Sequence, residues 1–351
     1  MTDSEADLGT DLQGQSRKMI TFRAAVGGRT WKTVQVMVSL GLIALLLTSI
    51  NCADVVDAAR LAGSRTLFFA FGLILFAHVV SAIRLHLLLD CQKIGIGFAK
   101  AVQLTFAGLF AGNFLPSTVG GDAARILGLT RAGLCKETAM ASVAMDRMMS
   151  LTAMLLMLPT ALLAPRLLSS QGRIGVVLAF CLGLILTALF LILIFFVASK
   201  KENGILRRGW TSWLWSWLQG SSLQFRVCLH CLKADPAVAV TSMGLSWIFF
   251  LAAILAVWFL AMDVGVQASY LEMIAAVTIA YFVSLIPISL NGLGIQEASL
   301  VLLLGNLGAG PSQALALAAI VRILHISSSL IGAWALIGIG EMRTPNVDKR
   351  S

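Results

Sequence analysis

Residues 113–125 read NFLPSTVGGDAAR, and residues 287–297 read PISLNGLGIQE. In each stretch a proline ends an apolar run, glycines follow within a few residues, and a carboxylate, Asp122 or Glu297, opens the next apolar run. The prolines, Pro116 and Pro287, lie 171 residues apart, close to half of the 351-residue chain. A matched pair of interrupted apolar segments points to a binding site between two repeated halves of a membrane protein.

The composition is that of an integral membrane protein. Hydrophobic residues make up 58% of the chain, charged residues only 12%, and the mean hydropathy is +0.89, whereas a soluble domain carries roughly a quarter of charged residues. The net charge of +9 does not indicate a nucleic-acid partner. The positive residues lie mostly in short loops between apolar runs, where they set the orientation in the membrane.

A helix needs about 20 apolar residues to cross a bilayer. We therefore predict an all-α, polytopic integral membrane protein with about six full transmembrane helices and two re-entrant helical hairpins in an inverted repeat. The hairpins fall at 101–115 and 271–305, which are too short or too interrupted to be plain spans. The predicted full spans are 33–51, 66–88, 138–163, 174–198, 237–262 and 312–340.

The distribution of Lys and Arg decides how the interrupted segments run. If 101–115 enters from the cytosol and returns, twenty Lys and Arg lie on the cytosolic side and four outside, as the positive-inside rule requires. The second hairpin then enters from the outer face. This topology predicts a multi-pass protein of the inner (cell) membrane with both termini in the cytosol.

The same layout divides the chain into segments. Residues 1–32 are predicted to be a cytosolic tail, disordered because they are polar and mixed in charge. Residues 33–340 form the transmembrane domain, with halves at 33–198 and 237–340 and a cytosolic amphipathic linker at 199–236. Residues 341–351 form a cytosolic C-terminal tail.

Two arginines are predicted near mid-bilayer, one in each half. Arg147 and Arg322 lie about ten residues into their spans, on the order of 14 Å deep at about 1.5 Å per residue. Placing such a charge at the bilayer centre costs roughly 2.5–3.5 kcal/mol even on the scale from membrane-insertion experiments, which gives the lowest values, so each arginine needs a partner. Across the bundle, Arg147 can pair with Asp122 or Glu297.

Further charges accompany these arginines. Asp146 can pair with Arg125 or Arg84, and Arg84 is expected at the cytosolic end of its span, at headgroup level. Two interpretations stay open: the ion pairs fix helix packing, or they line a path for an anionic headgroup, which arginine binds with two hydrogen bonds. The carboxylates Asp122 and Glu297 could also cap the helices that restart after the glycines.

The predicted substrate-binding residues are those of the two breaks and of the buried charges. They are Arg84, Asn113, Pro116, Gly120, Gly121, Asp122, Arg125, Asp146, Arg147, Pro287, Asn291, Gly292, Gly294, Glu297 and Arg322. Helices that restart after the glycines would add free N–H groups that favour an anion.

Enzymatic chemistry has little basis in the sequence. No nucleophile-elbow, zinc-protease or nucleotide-binding motif is present, and the histidines have no metal-ligand spacing. We expect no catalytic residue, no metal, no cofactor and no enzymatic activity of the chain itself.

The chain resembles, over about residues 35–340, the flippase-like membrane family typified by the transmembrane domain of lysylphosphatidylglycerol synthases. The marks are Arg84, the first break with Asn113, Pro116, Gly120, Gly121, Asp122 and Arg125, the pair Asp146-Arg147, the second break with Pro287, Gly292, Gly294 and Glu297, and the late Arg322. Asp122 and Asp146 stand where the family commonly has glutamate. Leu290-Asn291-Gly292 stands where the family often has Pro-Gly-Gly.

The resemblance implies translocation of a lipid, with membrane lipids of anionic or phosphate headgroup as partners and, in some cases, a lipid-modifying enzyme beside the translocase. The soluble synthase domain is not expected here, so the chain would not make lysylphosphatidylglycerol by itself. Two alternatives remain: an ion-coupled transporter of a small anion, and a membrane subunit of a lipid-modifying or glycosylating enzyme.

Overall fold

The structure is a computed structural model that describes residues 57, 60–114, 120–164, 166–167, 235–285 and 292–340, with side chains to residue 335. These residues form mainly α-helices and contain no strand. A 3₁₀ helix, Leu158–Leu163, extends α4. The helices are α1 (Ser64–Cys91), α2 (Phe98–Phe114), α3 (Gly120–Arg131), α4 (Lys136–Leu155), α5 (Pro236–Asp263), α6 (Tyr270–Ser284), α7 (Ile295–Asn306) and α8 (Pro311–Gly340).

Four segments are long and apolar enough to cross a membrane: α1, α4 with its 3₁₀ extension, α5 and α8. They confirm four of the predicted spans. They also expose large apolar side chains, among them Phe68 and Trp334 at about 80%, as lipid-facing helices do. The protein is therefore a membrane protein. The predicted spans 33–51 and 174–198, both tails and nearly all of the linker lie outside the described residues.

The described helices repeat one pattern twice. A long helix is followed by two short helices and a second long helix, as α1 to α4 and again as α5 to α8, and each helix of the second set begins 172 to 175 residues after its counterpart. The turns repeat as well. The short pairs end at Gly133 and Gly308, with φ of 100° and 90°, and the first long helices are followed by Lys93 and Gly265, with φ of 57° and 86°.

The two sets run in opposite directions. The Gly63 amide donates to the Asp263 carboxylate over 3.0 Å, which places the start of α1 beside the end of α5. The Gln103 side chain donates to the Ala335 carbonyl over 3.2 Å, so the start of α2 lies beside the end of α8. The α2–α3 pair therefore enters the bundle from one end, and the α6–α7 pair enters from the other.

The helices of the two short pairs are shorter than the four long segments. Helices α2 and α3 have 17 and 12 residues, and α6 and α7 have 15 and 12. At about 1.5 Å per residue they measure roughly 18 to 25 Å, against a hydrocarbon core of about 30 Å. We call α2–α3 the first hairpin and α6–α7 the second hairpin. Residues 115–119 and 286–291, between the helices of each pair, lie outside the described residues.

The first hairpin is held together by a close approach of glycines. A Cβ at Gly121 would lie 2.6 Å from the carbonyl oxygen of Gly108, and a Cβ at Gly108 would lie 2.6 Å from Arg125 Nε. A Cβ at Gly112, one helical turn further along α2, would meet its nearest atom only at 3.8 Å. Glycine at 108 and 121 therefore sets the distance between α2 and α3, and with it the position of Arg125.

We predict that Gly121→Ala destabilises the protein by about 1–3 kcal/mol, because the obstructing atom is backbone and cannot rotate away. The matched control in the same hairpin, Gly112→Ala, is expected to be neutral or slightly stabilising, since alanine favours helix and its Cβ has room. Thermal unfolding in detergent micelles measures the difference. Equal melting temperatures for the two variants would contradict this packing.

Candidate functional site

A cavity of about 260 Å³ lies where the tip of the first hairpin meets α1, α4, α5 and α6. Its polar walls come from the first set of helices. The second set contributes mainly apolar and aromatic groups, namely Phe249, Phe250, Tyr281 and Leu285. The cavity is thus built at the junction of the two halves, but its charges come from one of them.

The floor of the cavity is a buried cluster around Asp146. One carboxylate oxygen accepts from Arg84 Nε over 2.8 Å, and the other accepts from Arg125 Nη1 over 3.1 Å. Arg84 also donates to Ser246 Oγ over 2.8 Å and lies 3.5 Å from Ser81 Oγ. The side chains of Arg84 and Asp146 are only 3% and 2% exposed. We call Arg84, Arg125 and Asp146 the floor triad.

The position of Arg84 corrects the sequence prediction. Arg84 does not reach the headgroup level at the end of its span. Helix α1 continues to Cys91, so Arg84 lies two turns before its end and points into the bundle. A carboxylate from α4 and a hydroxyl from α5 hold it there, because a buried guanidinium needs hydrogen-bond acceptors.

The mouth of the cavity carries a second ion pair. Arg147 Nε lies 3.0 Å from both carboxylate oxygens of Asp122, and Nη2 lies 3.0 Å from Oδ1. The Arg147 side chain is 52% exposed and that of Asp122 is 21% exposed. Of the two partners predicted for Arg147, the structure selects Asp122, since the restart of the broken helix places Asp122 beside α4.

The second half carries an ion pair at matching positions. Arg322 donates to the Glu297 carboxylate, and the two residues are 25 apart in sequence, as Asp122 and Arg147 are. The other oxygen of Glu297 accepts from the Gly294 amide over 2.7 Å and so caps α7. The sequence predicted free N–H groups for an anion at this restart. The Gly294 N–H group is instead bound by the protein's own carboxylate, that of Glu297.

The described lining of the cavity includes seven of the predicted site residues: Arg84, Asn113, Gly121, Asp122, Arg125, Asp146 and Arg147. Arg322 does not line this cavity with the other three arginines of the predicted site. Gly120, Gly292, Gly294, Glu297 and Arg322 are described but do not line it. Pro116, Pro287 and Asn291 lie outside the described residues.

Other site residues were not predicted as such. His78 lines the cavity, its Nε2 is buried without a partner among the described residues, and its ring lies 6.4 Å from that of His325. Tyr281 borders both this cavity and a smaller one of about 20 Å³ in the second half. The spacing of Ser81 and Arg84, one helical turn apart, was a readable signal, but the contact with Ser246 depends on packing between the halves.

The chemistry of this arrangement is that of anion binding. Three arginine guanidinium groups of decreasing exposure line one cavity, and their carboxylate partners keep them in place. Within the described part of the chain, no group of three or more His, Cys, Asp or Glu is placed to hold a metal ion.

We predict that Asp146→Asn destabilises the protein strongly, by about 3–5 kcal/mol, because it leaves two buried guanidinium groups without a carboxylate. Asp122→Asn is the matched control. It removes the same charge from the half-exposed pair at the mouth and is expected to cost much less. Chemical unfolding in detergent micelles compares the two variants. An equal loss of stability would show that Asp146 does not organise the floor of the cavity.

A comparison with protein families gives one match. The family model described as "Lysylphosphatidylglycerol synthase TM region" matches residues 33–332, which include every described residue of the cavity. No curated protein matches the chain.

Proposed function

The chain belongs to the lysylphosphatidylglycerol synthase TM-region family, and from this premise we propose that it translocates lipids with anionic, phosphate-bearing headgroups across the cell membrane. The cavity at the tip of the first hairpin receives the headgroup. Its volume of about 260 Å³ lies just below the range of about 300–1,000 Å³ typical of drug-sized ligands. It suits a headgroup and leaves the acyl chains outside, in the bilayer.

The observation that carries the proposal is the order of the arginines with depth. The exposed fraction of the side chain falls from 52% at Arg147 to 13% at Arg125 and 3% at Arg84. An incoming phosphate meets Arg147 first and Arg125 next. Each guanidinium can exchange part of its hydrogen bonding to a carboxylate for hydrogen bonding to phosphate, because two phosphate oxygens match the two parallel N–H groups of the guanidinium as a carboxylate does.

The proposed placement in the membrane follows from helix length and charge. The first and second hairpins are re-entrant and enter from the cytosolic and outer faces, because helices of 12 to 17 residues do not span a bilayer. An interrupted helix is tolerated in lipid where protein or a wet cavity shields its backbone. The excess of Lys and Arg in the tails and in the loops near the first hairpin supports a cytosolic position for both termini.

We predict that the purified protein, reconstituted in liposomes, exchanges an acyl-labelled phosphatidylglycerol between leaflets, and that Arg147→Gln slows the exchange about tenfold by removing one charge-assisted hydrogen bond. A membrane-impermeant quencher reports the labelled lipid that reaches the outer leaflet. The matched control is Arg60→Gln, which removes an arginine that pairs with Asp57 on the exposed end of the bundle.

Other outcomes would favour the alternatives. Uptake of a soluble anion into the liposomes without movement of labelled lipid would contradict lipid translocation and favour an anion transporter. Conversion of a lipid substrate without translocation would favour a subunit of a lipid-modifying enzyme. Equal exchange by the Arg147→Gln and Arg60→Gln variants would remove Arg147 from the path.

A further inference from the structure

The two halves of the protein keep the same mouth pair but differ at the floor. Asp122–Arg147 recurs as Glu297–Arg322 with the same spacing. The second set of helices begins 172 residues after α1 and 175 residues after α3 and α4. At these offsets Arg84 corresponds to Ala256, Arg125 to Leu300 and Asp146 to Val321, and all three of these second-half residues are buried and apolar. The small cavity of the second half, about 20 Å³ and lined in part by Leu300 and Val321, has room for about one water molecule.

This asymmetry gives the floor triad a role that helix packing does not require. The second half packs the same helices in the same order with apolar side chains at these positions, so a neutral floor is compatible with the fold. Buried charges are often no more stabilising than apolar residues of similar volume. Helix packing alone therefore does not account for the buried charges of the first half.

Within the floor triad the positive charge is unevenly satisfied. Arg84 is paired with Asp146 and also donates to Ser246, and it is almost fully buried. Arg125 shares the same carboxylate through one terminal nitrogen, and its buried Nε has no partner among the described residues. Two guanidinium groups thus share one carboxylate, and the surplus positive charge is centred on Arg125.

The count of charges around the whole cavity gives the same surplus. Among the described lining residues, Arg84, Arg125 and Arg147 carry three positive charges, and Asp122 and Asp146 carry two negative charges. Residues 115–119 and 286–291, which lie between the helices of the two hairpins in sequence, contain no charged residue. The described charged residues leave one positive charge to be neutralised by what enters the cavity.

We infer that the cavity selects a phosphate diester with a single negative charge and no ammonium group. This inference rests on the proposed function and names the headgroup class. A diester carries one charge, which matches the surplus. A phosphate monoester carries about −1.5 to −2 at neutral pH and would leave an uncompensated negative charge. An ammonium-bearing headgroup would need a carboxylate, and both described carboxylates of the lining already hold arginines.

Binding in detergent micelles tests the selection without any transport step. Native mass spectrometry of the full chain is used with phosphatidylglycerol, phosphatidic acid and phosphatidylethanolamine of identical acyl chains. We expect phosphatidylglycerol to bind about tenfold more tightly than the other two, the difference of about one charge-assisted hydrogen bond. Soluble glycerophosphoglycerol, added as a competitor, distinguishes a lipid headgroup from a free diester of the same chemistry.

Two pairs of variants locate the surplus. Arg125→Leu places at position 125 the residue type found at the matching position, Leu300, and leaves Arg84 and Asp146 as an equal pair. It is expected to abolish the preference, whereas Arg125→Lys retains it. Ser150 lines the cavity and belongs to no ion pair among the described residues. Ser150→Asp adds a negative charge that cancels the surplus without replacing an arginine, and it is expected to abolish the preference. Ser150→Asn introduces a side chain of nearly the same shape as aspartate but without the charge, and it is expected to retain the preference.

The outcomes separate this inference from the proposed function. Equal binding of phosphatidylethanolamine and phosphatidylglycerol, or an unchanged preference in Ser150→Asp, overturns the inference even if lipids are translocated. Selective binding of phosphatidylglycerol without movement between leaflets supports the inference and overturns translocation. Displacement by glycerophosphoglycerol at equal concentration supports the diester and assigns the site to a soluble ligand.

Discussion

The Asp146 carboxylate lies 2.8 Å from Arg84 Nε and 3.1 Å from Arg125 Nη1, and through these contacts one residue joins α4 to α1 and to the first hairpin. All three side chains lie deep in a bundle whose surroundings are apolar. In such an environment an unpaired charge is far costlier than in water. The position of the hairpin, the shape of the cavity and the depth of its arginines all depend on this shared carboxylate.

A second constraint explains why Arg125 reaches Asp146 from a hairpin and not from a continuous helix. A continuous span would carry Arg125 past the cavity, whereas a hairpin returns the chain and holds Arg125 beside α4. The close approach of Gly108 and Gly121 makes this return narrow enough to fit between long helices. The same architecture is present twice, but only the first copy places charges at its floor, so the repeat provides the frame and the floor triad provides the chemistry.

Much of this organisation was predictable from the chain. The breaks around Pro116 and Pro287 predicted two interrupted segments, and the described chain has a pair of short helices around each break, with the two pairs at opposite ends of the bundle. The membrane faces from which these pairs enter stay a prediction. The partners of Asp146 were predicted correctly, since few carboxylates occur in the apolar segments. The choice of Asp122 over Glu297 for Arg147 needed the path of the first hairpin.

Other features depend on the packing between the two halves, which the pattern of apolar and charged residues along the chain does not determine. Arg322 resembles Arg147 in its predicted depth and in its spacing from a carboxylate, yet it pairs with Glu297 away from the cavity, because repeat-related residues need not line the same cavity. Arg84 was predicted at the cytosolic end of its span, but its side chain turns into the bundle two turns before the end of α1. The contacts of Ser246, His78 and Tyr281 arise between elements distant in sequence.

The most direct test of the central claim is a structure of the protein in a lipid nanodisc that contains phosphatidylglycerol. We predict a phosphate group in the cavity, with its oxygens at about 2.7–3.2 Å from guanidinium nitrogens of Arg125 and Arg147. We also predict that the acyl chains leave through the mouth of the cavity into the bilayer. A cavity that holds only water or an acyl chain, with both ion pairs unchanged and no phosphate near Arg125, would contradict the account.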